Sequence, residues 1–245
     1  MTVSDHNTTA VTPPEPARTP GRQGWARRLI TFWTLIVLVS AVAIAVFADV
    51  GEDVAANETT GFDNAIRAWM VAHQNPIIYK LAYVITVIGS PGMLVIALAA
   101  GIWFFRRGGR SMAGIVVAAP AVAALLSGGV KLLIGRARPA GGLLLNMRTY
   151  SFPSGHATSS AAVAVTLCYV MAREKIISWP TAIIVGAVVP LAVGWSRIYL
   201  DVHWGTDVIG GWAVGLFVAA LSAALYEYLR RSVPPDAGTP RARGN

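Results

Sequence analysis

Three short segments in the second half of the chain combine residue types that could bind and transfer a phosphate. Three cations could neutralise its oxygens: Lys131, Arg138 and Arg197. Two histidines could supply a nucleophile and an acid: His156 and His203. Because phosphoryl transfer depends mainly on positioning and on charge stabilisation, these side chains are of the right types for that chemistry.

The first segment contains Lys131, Arg138 and the adjacent Pro139. The two cations are seven residues apart, about two helical turns, so they can share a face if the helix continues beyond residue 134. Pro139 then forces the chain out of the helix. The alternative interpretation is that both cations only anchor the membrane interface by snorkelling.

The second segment is the run Pro153, Ser154, Gly155 and His156, at the predicted start of a helix. Helix N-termini present unpaired N–H groups and bind anions readily. Ser154 can offer a hydroxyl or act as the N-cap, and Gly155 lets an oxyanion approach the backbone. His156 can protonate a leaving oxygen, or it can simply be a polar residue at the membrane surface.

The third segment contains Ser196, Arg197, His203 and Asp207. The last two are four residues apart, which predicts neighbours on one helix face. A carboxylate that accepts the Nδ1 proton fixes the tautomer and leaves Nε2 free to attack, although a purely structural pair is the alternative. Arg197 has a forked guanidinium that can bind two phosphate oxygens.

Together, the three segments resemble the signature motifs of the type 2 phosphatidic acid phosphatase superfamily, which also contains the vanadium haloperoxidases. Every motif position is filled, in order and with matching spacing, over residues 131–207. The resemblance implies that His203 forms a phosphohistidine, which water then hydrolyses. The implied substrates are phosphatidic acid, phosphatidylglycerol phosphate or polyprenyl mono- or diphosphates. Two further charges within these segments have no assigned role: Arg136 and Asp201.

The composition indicates an integral membrane protein. The 245 residues are 55% hydrophobic and only 13% charged, whereas soluble domains carry about 25% charged residues. The net charge of +8 forms no basic stripe with interleaved aromatic residues, so we expect no nucleic-acid partner. The single cysteine, Cys168, lies in an apolar run and is interpreted as a small core residue.

Hydropathy predicts an all-α bundle of six transmembrane helices, with its domain at residues 25–231. The apolar runs lie at residues 29–48, 91–105, 112–134, 157–172, 181–196 and 208–229. The second and fourth runs are short and are expected to extend into residues 81–90 and 154–156. Residues 1–24 and 232–245 are interpreted as disordered cytoplasmic tails.

The distribution of basic residues predicts that both termini are cytoplasmic. With that orientation, thirteen Lys and Arg residues lie on the cytoplasmic side and seven lie on the other side. All three phosphate motifs then fall on the outer face, towards the periplasm or exterior of a plasma membrane. Residues 61–73 are expected to form a helix in the outer interface, with apolar Phe62, Ile66, Trp69 and Met70 on one face and Asp63, Asn64 and Arg67 elsewhere.

These features predict a phosphatase for lipid phosphates that needs no cofactor and no metal, since the acidic residues lack metal-ligand spacing. A vanadate-dependent haloperoxidase is disfavoured by the membrane spans. Two alternatives stay open: a lipid phosphotransferase that uses the same site, and a non-enzymatic lipid-binding or transport bundle. A lipid-binding or transport bundle would be expected to have broken helices near the bilayer midplane. The sequence does not predict the oligomeric state.

Overall fold

A computed structural model describes residues 22–140 and 149–232. The predicted tails, apart from residues 22–24 and 232, lie outside this part of the chain. The helices, in order, are α1 (Arg22–Ala55), α2 (Thr60–Ala72), α3 (Pro76–Val87), α4 (Met93–Arg106), α5 (Arg110–Ile134), α6 (Gly155–Arg173), α7 (Trp179–Tyr199) and α8 (Gly205–Ser232). Helix α1 therefore begins three residues before the predicted domain boundary.

The described residues contain six helical segments that are long and apolar enough to cross a membrane, so the number and order of the predicted spans are confirmed. They are Ile30–Ala55, Pro76–Arg106, Arg110–Ile134, Gly155–Arg173, Trp179–Tyr199 and Gly205–Arg231. The second span joins α3 to α4 through a π-helical turn, Ile88–Gly92, which contains Pro91. A π-turn accommodates the missing proline N–H without ending the helix.

Capping residues in the loops set two of the helix starts. Asn75 precedes α3, and its Oδ1 accepts the N–H of Ile77 at 2.8 Å. Ser178 precedes α7, and its hydroxyl oxygen accepts the N–H of Thr181 at 3.3 Å. Such caps satisfy donors that the first helical turn leaves without a partner.

Helix α6 is the most enclosed of the six spans and packs against α5, α7 and α8. Glycines on α8 allow the closest of these approaches. A Cβ added at Gly211 would lie 2.7 Å from the carbonyl oxygen of Ser154, and one added at Gly215 would lie 2.6 Å from that of Thr158. Small residues commonly bring membrane helices together in this way, and here they align the first turns of α6 and α8.

The three motifs meet at one end of the bundle, as predicted. That end is formed by the end of α5, the start of α6, the end of α7 and the start of α8. Buried polar contacts also join helices at the opposite end, where Glu227 accepts hydrogen bonds from Arg173 and, at 2.9 Å, from Tyr169. These contacts hold α6 against α8 far from the motif residues.

Helix α2 forms where the interfacial helix was predicted, and its charged face points towards the protein. Asp63 is only 1% exposed, whereas Phe62 and Trp69 are 51% and 58% exposed. An amphipathic helix on a soluble protein would bury its apolar face. Here Phe62 and Trp69 face away from the bundle, whereas Met70 packs against the buried cluster that contains Tyr199. The charged side chains of Asp63 and Arg67 form ion pairs with residues beneath the helix.

Candidate active site

The first motif is positioned by the end of α5. Gly135 has a left-handed backbone (φ +68°) and its N–H donates to the carbonyl oxygen of Lys131 at 3.0 Å, which ends the helix at Ile134. The expectation that Lys131 and Arg138 share one helix face is therefore wrong. The ammonium of Lys131 instead donates to the carbonyl oxygens of Tyr150 and Ser151, at 2.9 and 3.0 Å.

Arg138 reaches the site from the loop after α5. Its Nη1 donates to the carbonyl oxygen of Val202 at 2.8 Å and lies 3.1 Å from Nε2 of His203. Its Nε donates to the carbonyl oxygen of Thr149 at 3.0 Å. Burial lowers the pKa of this guanidinium, and the charge of Asp207 opposes that shift. The cation is therefore fixed directly beside the predicted nucleophilic nitrogen.

His203 and Asp207 are paired, with Nδ1 3.1 Å from Oδ2. The prediction that both lie on one helix is corrected, because α8 begins at Gly205 and His203 lies in the preceding loop. The carboxylate of Asp207 also accepts the N–H of Trp204 at 3.0 Å. It therefore holds the chain just before the helix and brings the imidazole back against the first turn.

The environment of His203 favours the neutral imidazole with a lone pair on Nε2. Burial lowers its pKa to about 4, while the hydrogen bond and charge of Asp207 oppose that shift. The Nδ1–H donates to the carboxylate, and Nε2 accepts from Arg138. Such a tautomer is the one that nucleophilic attack by a histidine requires.

Ser154 occupies the N-cap position of α6, but its hydroxyl caps nothing. Its backbone N–H donates to the carbonyl oxygen of Asp207 at 2.8 Å, which joins the second motif to the third. The hydroxyl is buried and has no hydrogen-bond partner in the described residues. The capping interpretation is therefore wrong, and the hydroxyl is free to donate to an anion.

The remaining site residues lie on α6 and α7. Gly155 and His156 form the first turn of α6, where the backbone N–H groups point out of the helix. The charges of Arg197, Arg138 and Lys131 all act on His156. The structure thus gathers all three motifs around one space.

Arg197 contributes the most deeply placed cation. The residue is 4% exposed, and its Nη1 donates to the hydroxyl of Thr86 at 2.6 Å. Its Nε is buried without a partner in the described part of the chain. A hydrogen bond to Thr86 orients the guanidinium, and the unpartnered Nε–H remains available for an oxyanion.

Sequence reasoning did not predict that further charged residues form a second layer of ion pairs behind the site. Arg136 contacts Asp207 and Asp63, at 2.8 and 2.5 Å. Arg67 forms a two-pronged ion pair with Asp201, at 2.6 and 2.8 Å. The available signal was the presence of charges in apolar surroundings, which require partners, but the sequence does not say which partners they have.

Known proteins are similar to this chain both in sequence and in architecture. A family model described as the PAP2 superfamily matches residues 112–231. The chain is 29% identical over 186 residues to phosphatidylglycerophosphatase B of Bacillus subtilis, covering 71% of this chain and 88% of that protein. It is 36% identical over 137 residues to decaprenylphosphoryl-5-phosphoribose phosphatase of Mycobacterium tuberculosis, covering 53% of this chain and 69% of that one.

A solved structure gives the same result for the fold. The crystal structure of a transmembrane PAP2-type phosphatidylglycerolphosphate phosphatase from Bacillus subtilis matches with a TM-score of 0.71 at 27% identity. The match covers 78% of this chain and 98% of that one. The helical architecture, the gathered motifs and these relatives agree, and the chain belongs to the PAP2 superfamily as an integral membrane phosphatase.

Proposed function

We propose that this protein hydrolyses phosphomonoester or diphosphate groups of lipids at the outer face of the plasma membrane. The observation that supports this most is the placement of His203. Its Nδ1 is held by Asp207, and its Nε2 lies 3.1 Å from the half-buried guanidinium of Arg138, among the other cations of the three motifs. A histidine nucleophile in a cationic pocket suits phosphoryl transfer.

In the first step, Nε2 of His203 attacks phosphorus in line with the leaving oxygen. The P–N bond forms as the P–O bond breaks, and His156 donates its proton to the departing lipid alkoxide. Asp207 stabilises the positive charge that develops on the imidazole. The products of this step are a free lipid alcohol, or lipid monophosphate if the substrate is a diphosphate, and a phosphohistidine.

In the second step, His156 removes a proton from water, and the resulting hydroxide attacks phosphorus. The P–N bond breaks, inorganic phosphate leaves, and His203 returns to its neutral form. The protonated His156 is then ready for the next substrate. Both histidines therefore end the cycle in the states in which they began.

The phosphate oxygens would bind the donors that the protein itself leaves free. The hydroxyl of Ser154 and Nε of Arg197 are buried without partners in the described residues. An unsatisfied buried donor costs about 1–3 kcal/mol, and an anionic oxygen would remove that cost. The first N–H groups of α6, including those of Gly155 and His156, supply further donors at the positive end of the helix dipole.

The position of the site supports an amphiphilic substrate. The motifs lie at the ends of helices that are long and apolar enough to cross a membrane, and the ends of such helices are where lipid headgroups would meet water. The matched relatives include one named for phosphatidylglycerophosphate and one named for a decaprenyl-linked phosphoribose phosphate. The excess of basic residues at the opposite end favours an outward-facing site.

Phosphate release from a panel of lipid phosphates tests this function. The full-length protein would be purified in detergent and incubated with phosphatidic acid, phosphatidylglycerol phosphate, and undecaprenyl mono- and diphosphate. We expect turnover of at least one lipid, with transfer to water rather than to an added alcohol, and no turnover by His203→Ala. Hydrolysis of water-soluble phosphates alone would reject the lipid assignment.

A further inference from the structure

A chain of charges connects the catalytic pair to helix α2. Arg136 places Nη1 2.8 Å from Oδ1 of Asp207 and Nη2 2.5 Å from Oδ2 of Asp63. The same guanidinium donates to the hydroxyls of Thr206 and Thr59, at 2.7 and 3.0 Å. One cation therefore bridges two carboxylates, and one of them is already bonded to His203.

The two carboxylates are almost completely shielded from water. Asp207 and Asp63 have side-chain exposures of 0% and 1%, and that of Arg136 is 15%. Removing ions from water is costly unless they are paired and hydrogen-bonded in good geometry. Each oxygen of these carboxylates lies within hydrogen-bond distance of a donor, so the cluster is fully connected.

Asp63 also fixes the helix that carries Asp207. Its Oδ1 accepts the backbone N–H of Thr206 at 2.9 Å, and its Oδ2 accepts the hydroxyl of the same residue at 2.6 Å. The acceptor for a first-turn N–H is usually the side chain of the N-cap residue, directly before the helix. Here helix α2 supplies it across more than 140 residues of sequence, next to the turn that holds Asp207.

We propose that Asp63 and Arg136 are positioning residues that act on the reaction through Asp207. Arg136 fixes the rotamer of the Asp207 carboxylate, so that its other oxygen faces Nδ1 of His203. Asp63 offsets the charge of Arg136, which would otherwise neutralise Asp207. This inference rests on the nucleophilic role of His203 under the proposed function, but not on which lipid is the substrate.

The charges predict opposite effects for the two residues. With neutral His203, the cluster of Asp63, Arg136 and Asp207 carries a net charge of −1. Asn at position 63 makes it 0, and Gln at position 136 makes it −2. Replacing both residues returns it to −1. A more negative cluster favours protonation of His203 and thereby removes the nucleophile at a higher pH.

Other charged groups also face His203 and must stay unchanged in the comparison. They come from the elements packed around it: Arg138 from the loop after α5, His156 from α6, Arg197 from α7 and Asp207 from α8. Lys131 of α5 acts in turn on His156. None of the substitutions below alters them. The difference in pH profile between variants therefore isolates the contribution of the cluster.

The experiment measures kcat and KM for 2,4-dinitrophenyl phosphate from pH 3.5 to pH 8 in purified full-length variants. Asp63→Asn, Arg136→Lys and Arg136→Gln should each lower kcat by about 10-fold or more, with little change in KM. The acid limb of kcat should move upward by about one pH unit in Arg136→Gln, from a single charge change at short range. The acid limb should not move to higher pH in Asp63→Asn.

Two further variants separate positioning from folding. In Asp63→Asn/Arg136→Gln the acid limb should return to its wild-type position, while kcat stays low because the carboxylate has lost its fixed rotamer. The matched control is Arg67→Gln/Asp201→Asn, which removes another ion pair between α2 and the loop before α8 without touching Asp207. It should leave the acid limb in place and lower kcat less than the cluster variants do.

Several outcomes would overturn the inference. One is that the loss in kcat of each variant simply follows the drop in its unfolding temperature, and that the control pair lowers kcat as much as the cluster variants do. Another is an acid limb that is the same in Arg136→Gln and wild type. If Arg136→Gln fails to fold, the nearly isosteric Asp63→Asn and the charge-conserving Arg136→Lys still test the inference. A folded variant of either kind with wild-type kcat would overturn it. Aryl phosphate turnover without lipid turnover would reject the lipid assignment but leave this inference intact.

Discussion

Nδ1 of His203 lies 3.1 Å from Oδ2 of Asp207, and both side chains are almost completely buried. This contact joins a loop residue to the first turn of α8 and fixes which imidazole nitrogen carries the proton. Three other donors also reach the carboxylate: the N–H of Trp204, the guanidinium of Arg136 and, at 3.4 Å, the hydroxyl of Ser151. All four contacts therefore use the carboxylate of Asp207 as a hydrogen-bond acceptor. A substitution that removes its negative charge tests its role.

The substitution Asp207→Asn should lower kcat by about 100-fold or more with little change in KM. The amide has nearly the same shape but lacks the negative charge, and it can donate to Nδ1 and favour the wrong tautomer. The same change in a serine-protease triad costs about 10⁴ in kcat. Steady-state kinetics on a short-chain lipid phosphate, beside thermal unfolding, would measure this. A stable variant with wild-type kcat would make the pair purely structural.

The two histidines should respond differently to the leaving group. His203→Ala should be inactive on every substrate because the attack on phosphorus is lost. His156→Ala should retain more of its activity on p-nitrophenyl phosphate than on a lipid phosphate, since a good leaving group needs little proton assistance. The ratio of kcat values for the two substrates is the measurement. Equal losses on both would contradict the acid role of His156.

Activity should persist in excess EDTA. The proposed neutralisation of the phosphate is carried out by Lys131, Arg138 and Arg197, together with the start of α6. Vanadate, which mimics a pentacoordinate phosphorus, should inhibit competitively in the same buffer. Loss of activity in EDTA with full recovery on addition of Mg²⁺ would show that the cations are insufficient.

The pH dependence should reflect the depressed pKa of His203. Burial lowers this pKa to about 4 from an ordinary value of 6.5, so the nucleophile stays neutral down to about pH 4. Burst formation of phosphoenzyme from 2,4-dinitrophenyl phosphate should therefore survive at pH 5. A burst that titrates near pH 6.5 would contradict the buried, neutral state of the imidazole.

The same shift predicts an effect on stability. Between pH 6.5 and about 4, the unfolded chain binds a proton at position 203 that the folded protein does not. The free energy of unfolding should therefore fall as the pH is lowered through this window. His203→Gln, which cannot titrate there, should show a weaker pH dependence of its unfolding temperature.

Cysteine labelling tests the orientation of the bundle. In a Cys168→Ala background, Asn64→Cys places a thiol on the exposed surface of α2, and Ser111→Cys places one at the opposite end, at the start of α5. An impermeant thiol reagent added to intact cells should label position 64 and leave position 111 unlabelled until the cells are opened. The reverse pattern would place the active site in the cytoplasm.

The sequence alone determined the six spans and the common end at which the motifs meet. Apolar runs in a bilayer must satisfy their backbone hydrogen bonds internally, so they form helices whose number follows directly from hydropathy. Successive helices then alternate in direction, and this places residues 131, 154, 197 and 203 at one end. The motif spacing also predicted the contact between His203 and Asp207, although His203 makes it from the loop before α8 and not from the helix face.

The tertiary structure decided the details that depend on contacts across long stretches of sequence. Hydropathy and spacing did not reveal that Gly135 ends α5 before Arg138, or that the hydroxyl of Ser154 caps nothing. Helix α2 supplies Asp63 as one partner of Arg136 and Arg67 as the partner of Asp201, each more than 70 residues away along the chain. A sequence shows that a buried charge needs a partner, but only the packing of the helices determines which residue comes within hydrogen-bond distance. The inward-facing charged side of α2 has the same origin, because Asp63 and Arg67 find their ion-pair partners, Arg136 and Asp201, beneath the helix.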